Sequence, residues 1–417
     1  MGREGVYLGE REAPESSQPE VREPSHAGHE RRVSSLDGLR GLAALTVVFY
    51  HSLLAWSVSL AAPYNTGGVS PRSGSLAWWL SDTPLHIVWA GPEMVLVFFV
   101  LSGYVLALPA VKRGWSWFDA SYYPRRFVRL YVPVWLALVF GVCLHELHES
   151  PIAGASWWLN AHAGSASLSN GLDDATLVGK GSSWAFTSVI WSLKYEVEFS
   201  ILLPIFVAVP LLIRRSRSAL VIVVMLSCVL LDAGAHDGDG KLEYLPVFLL
   251  GVLLAFNIDV LRPRMSRGRT SLALLVCACL LTASYWWHTA GLAHVPGSYV
   301  CEVAGACLAV WLALVSVQAT RMLTTKQARW LGSRSYSLYL VHEPIVVAFA
   351  FLFVRHGHGW LVVIVAIPVS LVAAEIFWRS VESPSIRLAR SFGIACARLL
   401  AAGRPGSRHA ATDDKAP

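Results

Sequence analysis

Ten apolar runs of roughly membrane-spanning length follow one another along this chain, and no water-soluble core accommodates that many. They cover residues 39–61, 87–108, 127–147, 188–213, 219–232, 242–260, 270–288, 298–320, 335–354 and 360–378. In lipid, only helices and closed barrels satisfy every backbone N–H and C=O. Runs of about 20 residues are the length of a helix crossing a hydrocarbon core of about 30 Å. The pattern predicts an all-α polytopic membrane protein of about ten transmembrane helices, the short fifth being tilted or extended by its neighbours. Only 15% of the residues are charged, where soluble domains carry about a quarter. Seventeen tryptophans and 13 tyrosines suit a chain with two membrane–water interfaces to line.

The basic residues orient this array. With the N-terminus in the cytoplasm, the 34 lysines and arginines fall on the cytoplasmic side or on adjoining helix ends, except Arg72, Lys180, Lys194, Lys241 and Arg355. That asymmetry and the even number of spans put both termini in the cytoplasm, in a multi-pass protein of the inner or plasma membrane. The net charge of +6 therefore lies in short loops and does not imply nucleic acid as a partner. Residues 1–33 are polar and predict a disordered tail with no signal peptide. Residues 34–384 form the membrane domain, and 385–417 a basic, then polar tail. The seven cysteines show no zinc spacing, and His-Glu-Leu-His at 145–148 is one residue short of a zinc-protease motif. It reads as a polar helix end, and no metal is expected. The outer connections 62–86 and 148–187 are long and rich in Gly, Ser and Ala, with Trp157, Trp158 and Trp184 in the second. They either shape an external mouth or are plain solvated loops.

Ionisable residues inside the apolar runs carry the functional information. Arg40 stands at the entrance of the first run and His51 eleven residues further on, roughly 16 Å along a helix and on the same face. Asp37 is placed to pair with Arg40. His51 is either functional or hydrogen-bonded between packed helices. Arg126 and Arg129 share a face at the amino end of the third run, where backbone N–H groups add to an anion site; positive-inside anchoring is the alternative. In the fourth run Ser192 and Glu196 share a face, while Lys194 and Glu198 read as a structural pair. Glu93, in the second run, needs a cavity, a cation or a proton. The ninth run places Tyr339, His342 and Glu343 on one side, with His342 at a depth similar to that of His51. One polar chamber would hold both histidines.

Six ordered stretches, SLDGLRGLAAL…H, GPEMVLVFFVLSGYVLA, RRFVRLYVP, WSLKYEVEF, LGSRSYSLYLVHEP and WRSVESP, resemble the membrane-bound acyltransferase 3 family. That family includes bacterial O-acetyltransferases of surface glycans and macrolide acyltransferases. The resemblance covers about residues 34–384. It implies transfer of an acyl group, acetyl above all, from acyl-CoA to a hydroxyl of a glycan or small-molecule glycoside. The family's Arg-x10-His pattern falls on Arg40 and His51, its basic donor-contacting motif on Arg126 and Arg129, its WxLxxE glutamate on Glu196, and its late YLxH pattern on Tyr339 and His342. Lys194, Val197 and Ser200 replace commoner residues and leave the partner of Glu196 open. In this reading His51 acts as general base or acyl carrier, oriented by Glu196 or Tyr339. A transporter with a proton-relay histidine is the alternative, against which stands the lack of an internal repeat.

Overall fold

The computed structural model describes residues 26–60, 71–146, 150–164, 168–177, 186–261, 265–289 and 297–402. Among them the chain is helical, with no strand. The long first helix α1 (His26–Trp56) is followed by α2 (Leu76–Ser81), a 3-10 turn (Pro84–Trp89), α3 (Gly91–Arg113) and α4 (Tyr122–His145). Two short helices, α5 (Trp157–Ala161) and α6 (Leu168–Thr176), occupy part of the long outer connection. Then come α7 (Ile190–Ile213), α8 (Arg217–Asp237), α9 (Gly240–Asn257), α10 (Arg267–Leu281), α11 (Ala283–Thr289), α12 (Ser298–Val315), α13 (Val317–Leu323) and α14 (Lys326–Arg355). The chain ends in α15 (Leu361–Phe377), a π-turn (Trp378–Glu382) and α16 (Ser383–Ala402).

Nine helical stretches among the described residues are long and apolar enough to cross a bilayer. The run at 270–288 makes the difference from ten, because it breaks at Thr282 between α10 and α11. There the Thr282 hydroxyl turns back to the Ala278 carbonyl at 2.8 Å, a bond that competes with regular helix. The short fifth run is lengthened at both ends into α8. Polar caps start the neighbouring helices: Ser216 accepts from Ala219 N–H, Asp239 from Lys241 N–H, and Thr325 from Ala328 N–H. The segment following residue 384 is helical as far as Ala402.

The packing of α1 against α14 positions everything that follows, and it is the most extensive helix pair among the described residues. Gly41 and Gly332 permit it. A Cβ on Gly41 would strike the Leu331–Gly332 backbone, and one on Gly332 the Asp37 carbonyl. Small residues let helix backbones touch in lipid, where burial of apolar surface no longer drives association. From this crossing each helix climbs ten residues, about 15 Å, to a histidine: His51 on α1 and His342 on α14. Helices in contact at both levels run parallel. The pairing of the two histidines thus follows from equal spacing above a glycine crossing.

Candidate active site

His51 and His342 touch. Nδ1 of His342 lies 2.9 Å from the Tyr339 carbonyl oxygen and 3.0 Å from that of Leu338. Carbonyls only accept, so this Nδ1 carries the proton and Nε2 of the neutral ring is a lone pair. His51 Nδ1–H donates to that Nε2 at 2.8 Å. With its proton on Nδ1, the neutral His51 ring presents Nε2 as a base, and no described group hydrogen-bonds to that nitrogen. The ring is 8% exposed, whereas His342 is fully enclosed. Trp158, from the outer helix α5, stacks on His51 with centroids 5.2 Å apart and planes 14° from parallel. The indole fixes the ring plane from the outer side.

A second, charged unit lies beside this pair. Glu343 is wholly buried and accepts from His162 Nε2–H (2.9 Å), Thr187 Oγ1–H (3.0 Å), Ser188 N–H (3.0 Å), Ser188 Oγ–H (2.5 Å) and Val189 N–H (2.9 Å). Five donors hold one carboxylate, which is how a buried charge is tolerated. His162 Nδ1–H donates to the Trp158 carbonyl at 2.8 Å. Both ring nitrogens of His162 are thereby held, one by Glu343 and one by the Trp158 carbonyl. The outer connection therefore contributes directly to the histidine centre, through Trp158, His162, Thr187 and Ser188.

On the other side, a cavity of about 330 Å³ is lined by Asp37, Arg40, Ser102, Arg126, Arg129, Ser192, Glu196, Tyr339, Trp378 and Glu382, among others. Arg126 Nη2–H donates to Glu196 Oε1 at 3.1 Å and to Ser200 Oγ at 2.9 Å, and its Nε–H to Ser200 Oγ at 3.1 Å. Ser102 Oγ–H adds a bond to Glu196 at 3.3 Å. Arg40 lies 4.0 Å from Asp37. Just before α4, Asp119 is held below the usual carboxylate range by the Ser121 hydroxyl and pairs with Arg125 at 3.3 Å. That fixes the turn from which Arg126 and Arg129 enter. The inner wall of the cavity includes Tyr339 and Ser192, whose hydroxyls are 2.7 Å apart. Tyr339 also packs on His342, centroids 5.9 Å apart. One residue thus joins the cavity to the histidine pair.

Of the sequence-derived site residues, the structure gathers Arg40, Arg126, Arg129, Glu196 and Tyr339 around the cavity and joins His51 to His342 just beyond it. It brings Glu196 to Arg126 and Ser102 rather than to either imidazole, which resolves the open question of its partner. Glu198 pairs with Lys241 at 3.7 Å in place of Lys194, whose ammonium lies 5.9 Å from the Tyr195 ring centre. Facing the start of α9 across the α7–α9 contact gives Glu198 a better partner than its own helix offers. Glu93 is buried, and its Oε2 has no hydrogen-bond partner among the described residues. No group of three metal-ligating side chains converges among the described residues; His148 and Glu149 lie outside them. The sequence reading missed His162 and the roles of Trp158, which it named only as part of the outer connection, and of Glu343. A second ionisable residue next to His342 in an apolar run was a usable signal for Glu343; His162, in a polar loop, gave none.

Residues 33–379 match the family described as Acyltransferase domain (Acyl_transf_3). The chain is similar to the peptidoglycan O-acetyltransferase OatA of Listeria monocytogenes, with 24% identity over 84% of this chain and 55% of that protein. It is similar to the acyltransferase MdmB of Streptomyces mycarofaciens, with 26% identity over 86% of this chain and 92% of that protein. To the O-acetyltransferase OatA of Staphylococcus aureus it is 24% identical over 85% of this chain and 57% of that protein. The chain thus spans little more than half the length of the two OatA proteins. No solved structure matches it.

Proposed function

The chain belongs to the membrane-bound acyltransferase 3 family, and on that premise we propose that it moves an acyl group, with acetyl the expected one, from acyl-CoA to a hydroxyl of a glycan or glycosylated metabolite. The arginine-lined cavity opens toward the cytoplasm and takes the donor. Arg40, Arg126 and Arg129 meet its phosphates, the latter two beside the amino end of α4, where helix N–H groups favour an anion. The thioester reaches the Tyr339–Ser192 end. His51 Nε2 takes the proton from the acceptor hydroxyl as its oxygen attacks the thioester carbon. The C–S bond then breaks, and the proton returns to the departing CoA thiolate. The Tyr339 hydroxyl exchanges its bond with Ser192 Oγ for one to the oxyanion that forms between attack and collapse, while Ser192 Oγ–H stays on the Val189 carbonyl at 3.0 Å. His342 holds His51 in the tautomer that leaves Nε2 basic. Glu343 fixes His162 and, through it, the Trp158 that stacks on His51. The expected domain limits, 34–384 for the membrane unit flanked by polar tails, form part of the same proposal.

One observation carries this reading: the bond from His51 Nδ1–H to His342 Nε2, beside a cavity rich in arginine. The test uses the protein reconstituted in nanodiscs with acetyl-CoA and an extract of envelope glycans and metabolites, CoA thiol release being followed by a thiol-reactive dye. Wild type releases CoA in step with an acylated product found by mass spectrometry, and His51→Ala releases none. An acyl-protein accumulating with acetyl-CoA alone would replace the general-base route by an acyl-histidine one. CoA release equal in both proteins would reject His51 as the reacting base.

A further inference from the structure

The cavity contains an aromatic surface that the transfer chemistry leaves unused. Where α15 runs into α16 the helix widens into the π-turn Trp378–Glu382, and such turns concentrate at functional sites. Trp378 and Glu382 reach the cavity from this turn and Ile386 from α16. Arg334, which does not line the cavity, lies over the Trp378 indole with Cζ 3.9 Å from the ring centre. Its guanidinium is clamped in turn: Nε–H donates to Glu375 Oε2 at 2.8 Å and Nη2–H to Oε1 at 3.3 Å. Glu375 also accepts from Arg379 Nε–H at 2.6 Å and from Trp330 Nε1–H at 3.0 Å. The indole, part of the cavity lining, is therefore backed by a fixed cation.

We propose that Trp378 is the stacking platform for the adenine of the donor. This rests on the reading that the donor is acyl-CoA. Position supports a nucleobase here rather than the acyl chain. Trp378 lines the same cavity as Arg40, Arg126 and Arg129, the groups that meet the donor's phosphates. In CoA the base adjoins the phosphates and is remote from the acyl group, so a donor whose phosphates meet those arginines brings its base beside them. Glu382 adds a polar contact. Ser337 gives both its N–H and its hydroxyl to Glu382 Oε2, so Oε1 remains to accept from an exocyclic amine.

Equilibrium binding to the full-length protein in nanodiscs tests this without any acceptor, with three probes: CoA, adenosine 3′,5′-bisphosphate and 4′-phosphopantetheine. Trp378→Ala is expected to weaken CoA and adenosine 3′,5′-bisphosphate about tenfold each, and Trp378→Phe much less, because stacking needs only an aromatic face. Binding of 4′-phosphopantetheine stays unchanged. Equal weakening of all three probes, or unchanged CoA binding, would overturn the proposal. Wild-type protein that binds none of them would overturn the acyl-CoA reading itself, and the platform with it. Should Trp378→Ala lose its fold, Trp378→Leu keeps bulk without the aromatic face and is expected to give the same pattern.

Discussion

Replacing His342 by leucine probes the tautomer logic at its weakest point. In the wild-type centre, His51 Nδ1–H has one acceptor, His342 Nε2 at 2.8 Å. Leucine removes it and leaves a buried donor unsatisfied, which costs about 1–3 kcal/mol. The imidazole escapes that cost by carrying its proton on Nε2 instead, and Nε2 is then a donor where the reaction needs a base. General-base catalysis contributes on the order of 10²- to 10⁴-fold, so kcat should fall by that factor, a barrier increase of roughly 3–5 kcal/mol. The donor KM should not move, because Arg40 is roughly 16 Å away along α1. His342→Gln keeps a carbonyl acceptor and should stay within about tenfold of wild type. The assay is acceptor-dependent CoA release in nanodiscs, with circular dichroism and thermal unfolding to confirm the fold. A folded leucine variant whose kcat stays within about threefold of wild type would refute the reasoning, as would a loss confined to KM.

Gly332→Val places a branched side chain where α14 meets the Asp37 carbonyl; about 1–3 kcal/mol should be lost, seen as a lower melting temperature in detergent, together with activity as His51 and His342 separate. Arg126→Ala removes the proposed donor phosphate contact and leaves Glu196 with Ser102 alone, so the donor KM should rise at least tenfold in steady-state titrations of acetyl-CoA, while Arg126→Lys recovers part of that. Glu343→Ala strands five donors in a buried pocket and should destabilise the protein by about 3–5 kcal/mol in thermal unfolding; Glu343→Gln, which still accepts, should cost less yet lower kcat.

Much of this architecture is legible in the sequence, because lipid is a severe solvent. Apolar length alone yields the helices, nine of which are long enough to cross a bilayer among the described residues. An ionisable residue in an apolar run is costly enough to stand out, which is how Arg40, His51, Glu196 and His342 are found. What the sequence withholds depends on partners that no local rule supplies. Glu198 has a basic residue four positions earlier, yet Lys241 on α9 pairs with it because helix packing sets the nearest cation. The break at Thr282 follows from a hydroxyl that hydrogen-bonds back to the chain in a run otherwise apolar throughout. His162 and Trp158 lie in a loop of ordinary polar composition, where nothing periodic marks a residue that packs against the membrane helices. Their contribution emerges only with the contacts to Glu343 and His51.

The most direct measurement is mass spectrometry of envelope glycans and small metabolites from cells producing either wild-type protein or His51→Ala at matched membrane levels. The account predicts one acyl mass increment on a hydroxyl-bearing molecule in wild-type cells and its disappearance with His51→Ala. The same increment at undiminished level in the His51→Ala cells would contradict it.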